Sequence, residues 1–410
     1  MKVAVVGGGV IGLACAWYLQ EGGAEVVVLE RDGAGMAASR GNAGWITPGL
    51  SNPLPAPGVT LQALRWMLRS DSPFLLRPRL DSDFAAWLWR FWRSSSRARY
   101  LAGMQAMLAL NERTLELYDR LVADGVEFEM HKNGLLFLFL DPRAAEEEAA
   151  VLEDLRRHGY PGDVRRLTLS EAQELDPAVG DAVRGAFLAT AERYVRPESL
   201  TAGLASALRE KDVELREGVE VTMIEASHGG WRLRTPHEEV ASDRVLVAAG
   251  AWTGRVLAPL GVKIRQEAAK GYSLTAQGEG TRPRHALYLG EAKVGCSPYK
   301  AGVRLAGTLE LAGMDLEQNR SRLDAVARAA TRYLRDWRPV LPQLEWAGLR
   351  PLPPDGLPLI GPVPGRDGLF VATGHGMMGV TLAPSTGAAL APLVMEDRLV
   401  PELRPFRIDR

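Results

Sequence analysis

Three glycines and one acid near the start of the chain are spaced for a single kind of ligand. Gly7, Gly9 and Gly12 follow the apolar run Val3-Ala-Val-Val6, and Glu30 ends a second apolar run eighteen residues after Gly12. Gly7 permits a tight turn off a first strand, Gly9 lets backbone come close to a pyrophosphate, and Gly12 lets a helix pack against the sheet. That helix begins at Val10 and Ile11. Its exposed amides and positive dipole end stabilise the diphosphate charge. Glu30 is placed to accept hydrogen bonds from both ribose hydroxyls and to repel a 2′-phosphate, which disfavours NADP. Strand, glycine turn, helix, second strand and acid, in that order, predict a dinucleotide-binding βαβ unit.

Other chemistries find little support. Cys15 and Cys296 are the two cysteines, and the histidines lie scattered at 131, 158, 228, 237, 285 and 375, so neither a disulfide framework nor a metal site is expected. The formal net charge of −1 over 410 residues gives no reason to expect nucleic acid as a partner. With 46% hydrophobic and 24% charged residues the chain is ordinary globular material, long enough for two domains.

The elements that position this chemistry are interleaved along the chain. Pro197 and the leucines at 200, 204 and 208 predict a helix. Val219–Glu225, Trp231–Arg234 and Arg244–Gly250 read as strands, as does Gly368–Thr373 before a last helix. Residues 376–395 carry no charge, near the length of a bilayer crossing, but their glycines and prolines read better as a loop entering a buried helix. Asn133-Gly134 predicts a hairpin joining Val126–His131 to Leu135–Leu140, and Ser170 to Gln173 resembles a capping box. Residues 256–345 start strand-rich and turn helical from about Leu316 to Trp337. The fold expected is α/β, α+β overall: a discontinuous Rossmann-like dinucleotide domain (1–50, 191–255, 346–410) interleaved with a substrate domain (51–190, 256–345) on a mixed, largely antiparallel sheet with helices. Such long interruptions favour FAD over NAD.

Several motifs, in order, resemble the FAD-dependent amine-oxidising superfamily that includes D-amino-acid oxidase, glycine oxidase and sarcosine oxidase. They are Gly7 to Gly12, Ser39-Arg-Gly-Asn-Ala-Gly44, Lys270-Gly-Tyr-Ser273, Gly348-Leu-Arg-Pro351, Asp355 to Gly361 and Thr373-Gly-His-Gly376. Thr47 to Ser51, Ala56 to Val59 and Leu64 to Met67 look more specifically like bacterial D-amino-acid dehydrogenases. The resemblance implies that Glu30 binds the adenosine ribose, Arg31 lies beside the adenine and Val221 meets it through backbone. Arg40, Asn42, Ala43 and Gly44 run past pyrophosphate and flavin, and Ala249, Gly250 and Trp252 pack a strand end against the diphosphate. Gly374, Gly376, Met377, Met378, Gly379, Val380 and Thr381 bring amides and a helix N-terminus toward flavin N1 and the C2 carbonyl, favouring reduction. By the same resemblance, Arg350 would fork onto the substrate carboxylate. The resemblance also implies that Tyr272 lines the substrate cavity, where a core aromatic is the other reading, and that His375 contacts flavin or amine, where a packed ring is the other reading.

The implied reaction is oxidative deamination of D-amino acids to 2-oxo acids and ammonia, by hydride transfer from Cα to N5 of a non-covalently held FAD, with electrons passed to a quinone or dye-type acceptor. A glycine, sarcosine or D-hydroxyproline enzyme shares that chemistry; an NAD-dependent oxidoreductase and a non-catalytic flavin-binding subunit are the rivals of other classes. A first strand at residue 3 predicts a cytoplasmic protein. Trp66, Trp87, Trp89 and Trp92, with their arginines, read as amphipathic helices filling the substrate domain or a subunit interface of a homo-oligomer, ahead of a peripheral patch on the inner face of the cell membrane.

Overall fold

The computed structural model describes residues 1–60, 63 and 72–410, apart from the side chains of 341–343; Leu64 to Met67, with Trp66, lie outside the described residues. Two large sheets organise the chain. The first has six strands in the order Glu214–Glu217, Glu25–Glu30, Lys2–Val6, Arg244–Val247, Leu369–Thr373, Leu359–Pro362, parallel except for the last pair. Its central strands read as continuous Val and Leu because helices and a small three-stranded sheet cover both faces.

The helix Val10–Glu21 is apolar all round and correspondingly buried. It is covered by Gly379–Glu396, the charge-poor segment of the sequence, which comes so close that a Cβ on Gly387 would stand 2.6 Å from the Ala14 carbonyl oxygen. Among the described residues no helix is long and apolar enough to cross a membrane. Where the two βαβ strands meet the first helix, Gly7 has φ +111°, and a Cβ on Gly12 would sit 1.9 Å from the Gly7 carbonyl oxygen. Any side chain at 12 would push the helix off the turn.

The second sheet has nine strands and is mixed but largely antiparallel; its order is Arg338–Leu352, Glu267–Glu279, Gly302–Leu311, Val294–Tyr299, Ala286–Leu289, Leu135–Phe139, Gly185–Ala189, Val164–Leu167, with Phe74–Leu76 added beside Gly302–Leu311. Arg338–Leu352 belongs to it along its whole length, past residue 346. The helix Arg320–Tyr333 buries Val326, Ala330 and Tyr333 against this sheet.

Local readings differ from the structure in three places. Gly134 does turn, with φ +82°, but Met130–His131 pairs with Arg193–Val195 whereas Leu135–Phe139 pairs with Gly185–Ala189, so the expected hairpin arms enter different sheets. The capping box is formed by Thr168 and Glu171, two residues before the expected one. The strand expected over Val219–Glu225 begins only at Met223, as Met223–Ser227 of the small sheet, while a strand not expected, Glu214–Glu217, joins the six-stranded sheet.

Candidate active site

One cavity of about 1310 Å³ runs from the Gly7–Gly12 turn to Arg350. It exceeds the roughly 300–1,000 Å³ typical of a pocket for one small ligand and has room for a dinucleotide with a substrate beyond it. At one end Gly7 and Gly9 expose backbone, and Gly9, the N-cap of the first helix, lends it no side chain. Ser39 accepts a hydrogen bond from the Val10 amide at 2.9 Å, tying the 37–44 loop to the helix end. Glu30 is held by two amides, Gly8 N at 2.6 Å and Asp32 N at 2.9 Å, which fixes the carboxylate and leaves its other lone pairs toward the cavity. Arg31 lies 4.8 Å above the Trp252 ring, and Val221, Ala249 and Gly250 complete that end.

Midway, the loop 40–44 is pinned from below. Arg304, almost wholly buried, donates to the carbonyls of Arg40 and Asn42 at 3.1 Å each and pairs with Glu198 at 2.5 Å. Asn42 accepts from Gly44 N at 2.8 Å, and Ala43 O accepts from Ser297 and Tyr299. Asn42, Ala43 and Gly44 line the cavity, together with Gly376, Met377, Met378, Gly379 and Val380 across from them.

At the far end stands Arg350. Its guanidinium occupies the space that glycine leaves at 271: a Cβ there would be 2.2 Å from both terminal nitrogens. Nη1 donates to the Thr308 carbonyl at 3.0 Å, and among the described residues no carboxylate pairs with it. Burial without a counter-charge pulls its pKa down to about 10. Thr308, a β-branched residue, holds a left-handed φ of +64°, a conformation costing on the order of 1–3 kcal/mol.

Five residues expected at the site lie outside the cavity lining. Gly12 serves helix packing, and Gly374 (φ +77°) turns beneath Pro353. The Arg40 side chain reaches Met36 Sδ instead of the cavity. Thr381 spends its hydroxyl joining Thr47 N and Trp45 O, each at 3.0 Å. Tyr272 is corrected most sharply: as Arg350 stands opposite Ala269 across the strands and shares a face with Gly271, Tyr272 points to the reverse face, where its hydroxyl donates to Glu310 at 2.6 Å. His375 does line the cavity, but its Nε2 bonds Thr386 Oγ1 at 3.0 Å, and burial holds its pKa down to about 3, so the ring is neutral. Ser39, Gly271, Arg304 and Thr308 were not singled out from sequence; only Ser39 and Gly271 stood within quoted motifs.

The family described as FAD dependent oxidoreductase, DAO, matches residues 2–393 of this chain. The chain belongs to the DAO family. FAD is therefore its cofactor, and the glycine turn, the amide-held Glu30 and the long cavity fit that group. The two thiols are buried and absent from the cavity lining, so neither faces the cofactor. Among DAO relatives, a D-amino acid dehydrogenase of Phenylobacterium zucineum is 34% identical over 96% of this chain and 94% of its own length. Another from Neisseria meningitidis is 32% identical, covering 96% of each. The glycine oxidase of Geobacillus kaustophilus, a solved DAO structure, superposes with a TM-score of 0.75 at 26% identity, over 100% of this chain and 99% of that one.

Proposed function

We propose that this DAO enzyme is a D-amino-acid dehydrogenase, converting D-amino acids to 2-oxo acids and ammonia and passing the electrons to a quinone or dye-type acceptor. The observation that carries this reading is the Arg350 guanidinium, without a carboxylate partner among the described residues, in the same cavity as the dinucleotide cradle. A substrate carboxylate supplies the missing counter-charge, and a planar fork grips it through two parallel hydrogen bonds. FAD, when bound, accepts the hydride that leaves Cα. The amine must be neutral for its lone pair to form the C=N bond, and the neutral His375 adds no positive charge that would oppose the positive charge developing on that nitrogen as the hydride leaves. Water then hydrolyses the imino acid. The names of the relatives support the D-amino acid and the dehydrogenase character.

Exposed Trp89 and Trp92, next to Arg90 and Arg93 on the helix Ser82–Ser94, support a peripheral contact with the inner face of the membrane, where a quinone is within reach. Trp87 of the same helix is instead packed in the interior, donating to Leu352 O at 2.9 Å.

The test is an anaerobic absorption spectrum of the holoenzyme titrated with D- and L-amino acids, glycine and sarcosine, then reoxidised by air or by a quinone analogue. D-amino acids should bleach the flavin, and the quinone should restore it faster than air does. Bleaching by glycine or sarcosine alone would move the assignment to that chemistry. Arg350→Met should raise KM for the bleaching amino acid by at least about 100-fold, the loss of two charge-assisted hydrogen bonds.

A further inference from the structure

The backbone opposite Gly271 carries one residue too many. Lys270 pairs with Glu310 and Tyr272 with Gly307, so Thr308 and Leu309 together face the single residue Gly271. This is a β-bulge, a device that re-aims groups beside active sites. Here it turns the Thr308 carbonyl onto Arg350 Nη1 while the bare Gly271 accommodates the guanidinium. The left-handed φ of Thr308 is one that a threonine holds only when its surroundings impose it.

Those surroundings lie on the reverse face of the sheet. Glu310, wholly buried, follows the bulge by one residue; it accepts from the Tyr272 hydroxyl at 2.6 Å and meets Arg77 Nε at 2.8 Å. Lys270, also wholly buried, stands 3.8 Å from Glu310 and donates to Asp315 at 2.7 Å. The two strands are thus fastened by charged and hydrogen-bonded groups on both sides of residue 271. Lys270 and Glu310 are wholly buried at the centre of this cluster, with Arg77 and Asp315 partly exposed at its edge; a buried ion pair is a poor source of stability but a good means of fixing register.

We propose that Tyr272 and Glu310 are positioning residues for substrate binding: their bond locks the Thr308 bulge, and the bulge in turn holds Arg350 in the orientation that receives a carboxylate. The inference rests on the role given above to Arg350. Tyr272 thereby takes a part in recognition through Glu310, from the opposite face of the sheet and without touching the substrate.

The test is steady-state kinetics of holoenzyme variants Tyr272→Phe, Glu310→Gln and their combination, with Arg350→Met as reference and with FAD absorbance and thermal unfolding as checks of folding. Each single variant should raise KM for the amino acid about five- to fiftyfold with kcat changed less than threefold, and the double variant should be no worse than the worse single, because both break one lock. Acetate, a bare carboxylate, should compete correspondingly less well. Wild-type KM in folded Tyr272→Phe and Glu310→Gln, beside a crippled Arg350→Met, would overturn the lock and leave the Arg350 reading intact. Wild-type KM in Arg350→Met would overturn that reading itself. Additive losses from the two singles would mean separate actions and would also overturn the lock. Should Glu310→Gln fail to fold, Tyr272→Phe, which removes only the hydroxyl that Glu310 accepts from, carries the test alone: an unchanged KM in it would overturn the lock.

Discussion

Arg350 and His375 show how burial sets the charge a residue can bring to the cavity. Both lose the charged form's solvation, yet Arg350 stays protonated with a pKa near 10, whereas His375, near 3, is neutral at any working pH. The depressed pKa of His375 links to stability with a definite sign. The unfolded chain takes up a proton near pH 6.5 that the native ring refuses, so the contribution is complete above pH 6.5 and is lost as pH falls toward 3. Thermal unfolding followed from pH 7.5 to pH 4.5 should therefore show the wild type losing up to about 1.4 kcal/mol per pH unit relative to His375→Gln. At this scale the sequence was legible where a role belongs to a contiguous motif: Glu30 and the glycines at 7, 9 and 12 declare themselves within thirty residues. Tyr272 misleads because the strand's facing is set by partners some 35 and 75 residues further on. Nothing near Arg304 announces that it braces a loop more than 250 residues earlier.

Among the elements, the last long helix does the most to shape the cavity. Gly379–Glu396 covers the first helix, presents its opening residues to the cavity and is fastened to Trp45–Thr47 by the Thr381 hydroxyl. Thr381→Val keeps the shape but leaves the buried Thr47 amide unpaired, a cost of about 1–3 kcal/mol. A lowered melting temperature with a raised FAD dissociation constant is the expected outcome, read by thermal unfolding and flavin fluorescence titration. Helices were read well where Leu200, Leu204 and Leu208 repeat at one interval, and all three are buried as that interval requires. Strands were harder. Alternation marks a strand but not its partner, which is why Met130–His131 and Leu135–Phe139 looked like one hairpin although Arg193–Val195 and Gly185–Ala189 claim them separately.

Over the whole molecule, one cavity is walled by both sheets and by residues from Val6 to Val380. A ligand spanning it stabilises everything it touches through mass action, by roughly 2.7 kcal/mol at a free concentration of 100 Kd. Calorimetry of the holoenzyme should accordingly give a single endotherm that moves to lower temperature when FAD is stripped; two endotherms, only one of them moving, would contradict this coupling. The same interleaving has a consequence during synthesis. The strand Lys2–Val6 is made some 240 residues ahead of its neighbour Arg244–Val247, and the helix that shields Val10–Glu21 ends only at Glu396. A nascent chain on the ribosome thus keeps one face of an apolar helix uncovered until Gly379–Glu396 is made, so chaperone occupancy and cofactor capture both wait on that segment.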